Sequence, residues 1–195
     1  MDDVLAIKAL LEKEFPGIAL KLVRNSLLIE NPADLPKVAR FLKESDAYRL
    51  DYLSVITGVD YLTFLESVYH LCSMEKKIGP LVLRVRVPRE NPRIPSLVAI
   101  YRGAEFQERE AYDMFGIVYE NHPDLRRIFM WEGFASFPLR KDYQQEDSDT
   151  LEAADVEWLE KHQVRIPEEM KKKAEELQKQ GKRAIAERPG QPEPQ

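Results

Sequence analysis

Cysteine is almost missing from this chain: Cys72 is the only one in 195 residues. An intrachain disulfide is therefore impossible, and no cysteine cluster can hold zinc or an iron-sulfur centre. A reducing compartment fits that usage. Histidine is also scarce, and His70, His122 and His162 stand far apart in sequence, so no close set of metal ligands is encoded. No apolar run approaches the roughly 18 to 20 residues that cross a bilayer, and Met1-Asp2-Asp3 is acidic where a signal peptide is basic. Direct anchoring in a membrane is thus not expected. An excess of positive charge is lacking too, since the formal net charge is -5; a general nucleic-acid binder would need basic groups to neutralise phosphates. No glycine-rich nucleotide loop and no internal repeat is present.

What the chain does have is ordinary domain length and a readable order of elements. Val4, Ile7, Leu11 and Phe15 recur at helical spacing before the stop at Pro16-Gly17. Ile18 to Val23 and Leu27 to Glu30 read as short strands around Asn25-Ser26, and Asn31-Pro32-Ala33-Asp34 opens a second helix with Val38, Phe41 and Leu42 inward. Leu50 to Thr57 is apolar on both faces, as in a central strand. Phe64 to Met74 and Leu81 to Val87 alternate, with Gly79-Pro80 as the turn between them. Ser96 to Arg102 and Ala104 to Phe115 are expected helices, the latter ending at Gly116. The expected fold is α+β: a two-layer domain with a mixed or antiparallel sheet and helices on one face, plus an extended C-terminal docking segment. The boundaries expected are 1–120 for the domain, 121–143 for the interface segment and 144–195 for a charged, partly helical tail.

In that tail, Asp149 and Glu152 offer a cap for a short helix bearing Leu151, Val156, Trp158 and Leu159. Pro167 opens a second, solvated helix over Glu168 to Gln180, with Met170, Ala174 and Leu177 as a thin stripe and Glu168-Lys172, Glu169-Lys173 and Glu175-Lys179 at i, i+4. Gly190 to Gln195 has the composition of a disordered end.

The densest mixture of charge and aromatic rings runs from Glu108 to Tyr143. On a helix, Glu105, Arg109 and Asp113 form an exposed ladder of alternating sign, while Glu108 falls inside the apolar stripe of Ala104, Ala111, Tyr112 and Phe115. A carboxylate there needs a partner, and Arg126, Arg127 and Arg140 are the candidates. His122-Pro123-Asp124-Leu125 reads as a turn, and His122 as a turn or interface histidine rather than a base. Trp131, Phe134 and Phe137 have the composition of interface anchors, although folding back as a local core suits them equally. A stand-alone hydrolase or isomerase would have to use Glu108, Asp113 and His122.

Three blocks, Glu108-Arg109-Glu110-Ala111-Tyr112-Asp113-Met114-Phe115-Gly116-Ile117, His122-Pro123-Asp124-Leu125-Arg126-Arg127-Ile128 and Pro138-Leu139-Arg140-Lys141-Asp142-Tyr143, closely resemble the signature of the C subunit of proton-pumping NADH:quinone oxidoreductase, respiratory complex I. Gly58-Val59-Asp60-Tyr61 and Val85-Arg86-Val87-Pro88 also look like the family; Gln144 stands where the family commonly has proline. The resemblance implies a structural subunit of the peripheral arm on the cytoplasmic face of the membrane, reached only through partners. Such a subunit binds no cofactor of its own, leaving FMN, Fe-S clusters and quinone to others, and it packs against the D subunit and near the B subunit. The expected interface comprises Glu108, Arg109, Glu110, Tyr112, Asp113 and Phe115, then His122, Asp124, Arg126 and Arg127, and then Trp131, Phe134, Arg140, Lys141, Asp142 and Tyr143. A similar subunit in membrane-bound hydrogenases, formate hydrogenlyase or ferredoxin- or F420-dependent dehydrogenases is the alternative.

Overall fold

The computed structural model describes residues 2–143, 153–172, 174–176 and 179. Helix α1 (Asp2–Glu14) buries Val4, Ile7 and Leu11, one stripe at the expected spacing. Strands β1 (Leu20–Val23) and β2 (Ser26–Ile29) form an antiparallel hairpin, turned by Arg24 at φ 56°. Asn31 caps a short 3-10 turn over Pro32–Asp34 by accepting from the Ala33 N-H, and α2 (Leu35–Glu44) follows with proline in its first turn. Three long strands come next: β3 (Tyr52–Asp60), β4 (Phe64–Ser73) and β5 (Ile78–Pro88).

These strands form a mixed sheet in the order β1-β2-β5-β4-β3, with β2 and β5 parallel and the other pairs antiparallel. Its inner face is set by register. Leu81, Leu83, Val85 and Val87 of β5 lie opposite Leu71, Tyr69, Ser67 and Leu65 of β4, and Leu53 and Ile56 of β3 complete the row. The buried side chains of α1 and α2 join the same core, and each fully buried Leu, Ile or Val contributes about 1.5–3 kcal/mol. On the opposite face Glu66 is fully buried between Arg84 and Arg86, whose Nε donates to it at 2.7 Å.

Three details depart from the sequence reading. The apolar stretch expected at the centre of the sheet is β3, an edge strand; its outward Tyr52 and Val55 are exposed. Gly79-Pro80 lies inside β5, and the turn is made just before it, at 74–77. Ser96 to Arg102 makes one turn, with Ile100 and Tyr101 both donating to Leu97 O, because Ser96 and Leu97 are drawn toward a side chain of the next helix. That helix, α3 (Ala104–Phe115), ends at Gly116 in the left-handed region at φ 75°. It connects two short parallel strands, β6 (Arg93–Pro95) and β7 (Val118–Glu120), which alternation over three residues is too short to reveal.

The chain divides into two compact units, and the first contains everything to Met130 together with Phe137–Tyr143. The second contains Trp131–Ser136 and the tail. Within it, α4 (Ala153–Lys161) brings Trp158 to Trp131, ring centroids 6.3 Å apart, and Trp131 meets Phe134 edge-on at 5.0 Å. A second helical stretch begins after Pro167, where Met170 N-H bonds Pro167 O. Its Lys171 reaches Glu160 at 2.6 Å, a pair between helices that the i, i+4 reading did not contain. The Asp149 and Glu152 cap, Leu151, Leu177 and Gly190–Gln195 lie outside the described residues.

Candidate docking surface

Glu108 is fully buried on α3, as its place in the apolar stripe requires, but among the described residues no arginine meets it. Its carboxylate instead accepts the Ser96 hydroxyl at 2.6 Å and the Leu97 N-H at 2.7 Å. Nearby lies a buried hydroxyl pair, Ser67 and Tyr119, at 2.9 Å. Burial pushes the carboxyl up to about 7, and the two hydrogen bonds only partly oppose it. The sequence rule that a buried carboxylate needs partners holds; the partners are a hydroxyl and an amide, which have no signature at a distance of twelve and eleven residues.

The ladder expected of Arg109 and Asp113 does not form, because both side chains are buried. Arg109 donates through Nε to Arg126 O at 3.1 Å and lies over the Phe106 ring at 5.3 Å. Asp113 turns to the chain beyond β7. One of its oxygens accepts the N-H groups of Ile128, Phe129 and Met130 at 2.9, 2.6 and 3.0 Å, and the other accepts Arg127 at 2.9 Å. Burial would raise this carboxyl, but those donors outweigh it and hold it below its ordinary value. His122 has both ring nitrogens engaged: Nδ1 accepts from the Asp124 N-H at 3.0 Å, so Nε2 is the donor to Glu105 O at 3.0 Å. Asp124 receives the Arg126 Nε at 2.9 Å, and that exposed pair holds the carboxyl below its usual range. This block is the turn that the sequence announces.

A fourth carboxylate, Asp60, holds the strap Phe137–Tyr143. Oδ2 accepts the Lys141 N-H at 2.8 Å, Oδ1 accepts the Leu62 N-H at 2.7 Å, and Arg89 bridges Asp60 to Asp142. Burial opposes ionisation here, yet Arg89 and the two N-H groups bring the carboxyl down to about 2. Along the strap, Leu139 N-H bonds Met114 O at 3.1 Å, Arg140 Nε donates to Phe115 O at 2.7 Å, and Tyr143 N-H returns to Arg140 O at 3.0 Å. Phe137 is covered by the guanidinium groups of Arg140 and Arg127 at 4.5 and 5.1 Å. Two glycines make room: the Phe115 ring would lie 2.4 Å from a Cβ on Gly58, and Phe137 2.6 Å from one on Gly116.

Of the expected interface residues, Glu108, Arg109, Asp113, Arg127, Arg140 and Asp142 therefore serve the chain's own fold. Tyr112 and Phe115 pack against its core, and Trp131 and Phe134 meet Trp158 or each other. Glu110, Arg126 and the Lys141 side chain face solvent. The large apolar side chains left outward are ones the sequence reading did not single out: Phe106 and Phe129, each 62% exposed, and Leu139 at 54%. A cleft of about 530 Å³ lined by Arg24, His70, Pro80 and Arg84 shares no residue with this region. No group of three or more His, Cys, Asp or Glu among the described residues is placed to hold a metal, and none of the described helices is long and apolar enough to cross a membrane.

The architecture is that of an α+β domain with a strap of its own chain pinned across the end of one helix. The chain belongs to the family of the respiratory-chain NADH dehydrogenase 30 Kd subunit, whose profile matches residues 28–149. It is 47% identical over 118 residues to the C 2 subunit of NADH-quinone oxidoreductase from Rhizobium meliloti (strain 1021), covering 57% of this chain and 62% of that protein. It is 44% identical over 116 residues to the chloroplastic J subunit of NAD(P)H-quinone oxidoreductase from Liriodendron tulipifera, covering 52% and 73%. The chain thus spans about three fifths of the length of the Rhizobium relatives it matches. A chain from the structure of the membrane-bound sulfane sulfur reductase, an archaeal respiratory membrane complex, superposes with a TM-score of 0.57 at 24% identity, over 86% of this chain and 96% of that one. At that identity the likeness is one of fold.

Proposed function

We propose that this chain is a non-redox structural subunit of the peripheral arm of an NADH:quinone oxidoreductase. In this reading it braces the D and B subunits around the quinone site, so that electrons pass from NADH through FMN and Fe-S centres to quinone. It binds no cofactor, does no chemistry alone, and sits at the cytoplasmic face of the membrane through its partners. The observation that carries the reading is the division of labour in residues 126–130 and 137–143: Arg127, Arg140 and Asp142 are engaged in pinning the segment, while Arg126 and Lys141 face solvent and Phe129 and Leu139 are held outward. Exposed apolar side chains on a rigid support, ringed by Arg and Lys, are the composition of an interface core and rim. The names of the relatives support the choice of machine.

The rival stand-alone enzyme would have to work with Glu108, Asp113 and His122, whose polar atoms are all engaged inside the fold. The test is purification of the native protein with its companions, comparing the wild type with a Phe129→Asp, Leu139→Asp double variant. Both side chains are exposed, so the variant folds; loss of flavin- and cluster-containing companions is expected. Unchanged companionship, or a solitary wild-type monomer, would refute the reading.

A further inference from the structure

The turn between β3 and β4 holds an apolar side chain that the core does not use. Leu62 is 57% exposed and its backbone lies at φ 68°. The other described non-glycine residues with positive φ are Arg24, Arg49, Lys77, Asn121 and Gln163, all polar. A leucine in the left-handed region is strained, and strain of this kind persists where surrounding contacts impose it, often at ligand clamps and docking points. Here the contacts are plain. Asp60 accepts the Leu62 N-H, and Tyr61 N-H bonds Phe64 O at 3.0 Å. The Tyr61 ring stacks on Phe64 at 4.7 Å, and the Arg86 guanidinium lies over Phe64 at 4.8 Å.

The same Asp60 carboxylate holds Lys141 of the strap, so the turn and the strap hang from one group. Leu139 stands two residues from that bond and points outward. Resting on the reading above, we propose that the Tyr61-Leu62 tip belongs to the docking surface of the strap, with Leu62 entering an apolar hollow of the partner protein that receives Leu139. Arg86 is already paired with Glu66, whereas the Lys141 side chain beside that bond is exposed, so the rim of that hollow carries a carboxylate facing Lys141.

Leu62→Asn and Leu62→Gly test this in the full chain, expressed with its partner proteins. Both residues accept the left-handed backbone, so the free chain keeps its melting temperature or gains a little as the strain is relieved. Recovery of the complex is expected to fall about tenfold or more, as for a hot-spot side chain. Full recovery with both variants would overturn the proposal, and so would a lowered melting temperature of the free Leu62→Asn and Leu62→Gly chains, which would make Leu62 a folding residue. The Phe129→Asp, Leu139→Asp variant separates the two levels. If it abolishes assembly while the Leu62 variants assemble, the structural-subunit reading stands and the knob does not; if it assembles normally, both fall.

Discussion

Glu108→Gln is the substitution whose outcome depends most on the geometry found here. Were Glu108 paired with an arginine, removing its charge would strand a buried cation and destabilise the protein at neutral pH. With only a hydroxyl and an amide as partners, the sign reverses. The carboxyl rises from an ordinary 4.5 to about 7 on folding, so the folded state keeps its proton through a range in which the unfolded chain has lost it. The corresponding stability is present in full below about 4.5, declines as pH rises toward 7, and is gone above that. At 1.36 kcal/mol per pH unit the loss amounts to about 3 kcal/mol. A glutamine can accept from Leu97 N-H and donate to Ser96 without ever ionising. Urea unfolding of the full chain should therefore show Glu108→Gln and wild type equal near pH 4.5, and the variant ahead by about 3 kcal/mol at pH 8.5. A gap that does not vary with pH, or a variant weaker than wild type at pH 8.5, would refute the account of this site.

The depressed carboxylates behave oppositely. Asp60→Asn removes a group whose stabilisation is present above its ordinary 3.8 and lost as pH falls through about 2; it should cost about 2 kcal/mol at pH 7 and nothing near pH 1.5, measured by denaturant unfolding at both. Asp113→Asn weakens charge-assisted bonds to three N-H groups and Arg127, with an expected cost of about 2–3 kcal/mol and faster proteolysis at 127–130, read by mass spectrometry. Gly58→Ala drives a methyl into the Phe115 ring and should lower stability by about 1–3 kcal/mol in a thermal melt.

Much of the scaffold was legible because it rests on periodicity. The stripe of α1, the alternation of β5 and the glycine stop of α3 each have a local cause that the order of residues displays. Misplaced features have nonlocal causes. Nothing in Leu50 to Thr57 says that its second apolar face is left open at a sheet edge, since an edge is defined by which strands are missing beside it. The charged segment was legible as an ordered stretch, and the direction each of its side chains takes was not. Its carboxylates and guanidiniums marked an ordered segment, but which of them face inward depends on contacts such as Asp60 to Lys141, separated by 81 residues. Phe129 and Leu139 carried no signal of their own, as an apolar residue between charged ones looks equally suited to either side.

Because Asp113 and Asp60 fasten residues 127–130 and 137–143 before any companion arrives, the strap loses its conformational freedom during folding of the monomer. Association can then proceed as the meeting of two finished shapes, with little further ordering to oppose it. A kinetic signature follows: the rate of complex formation should be second order and nearly indifferent to mild denaturant, whereas a chain that had to coil onto its companion would slow markedly.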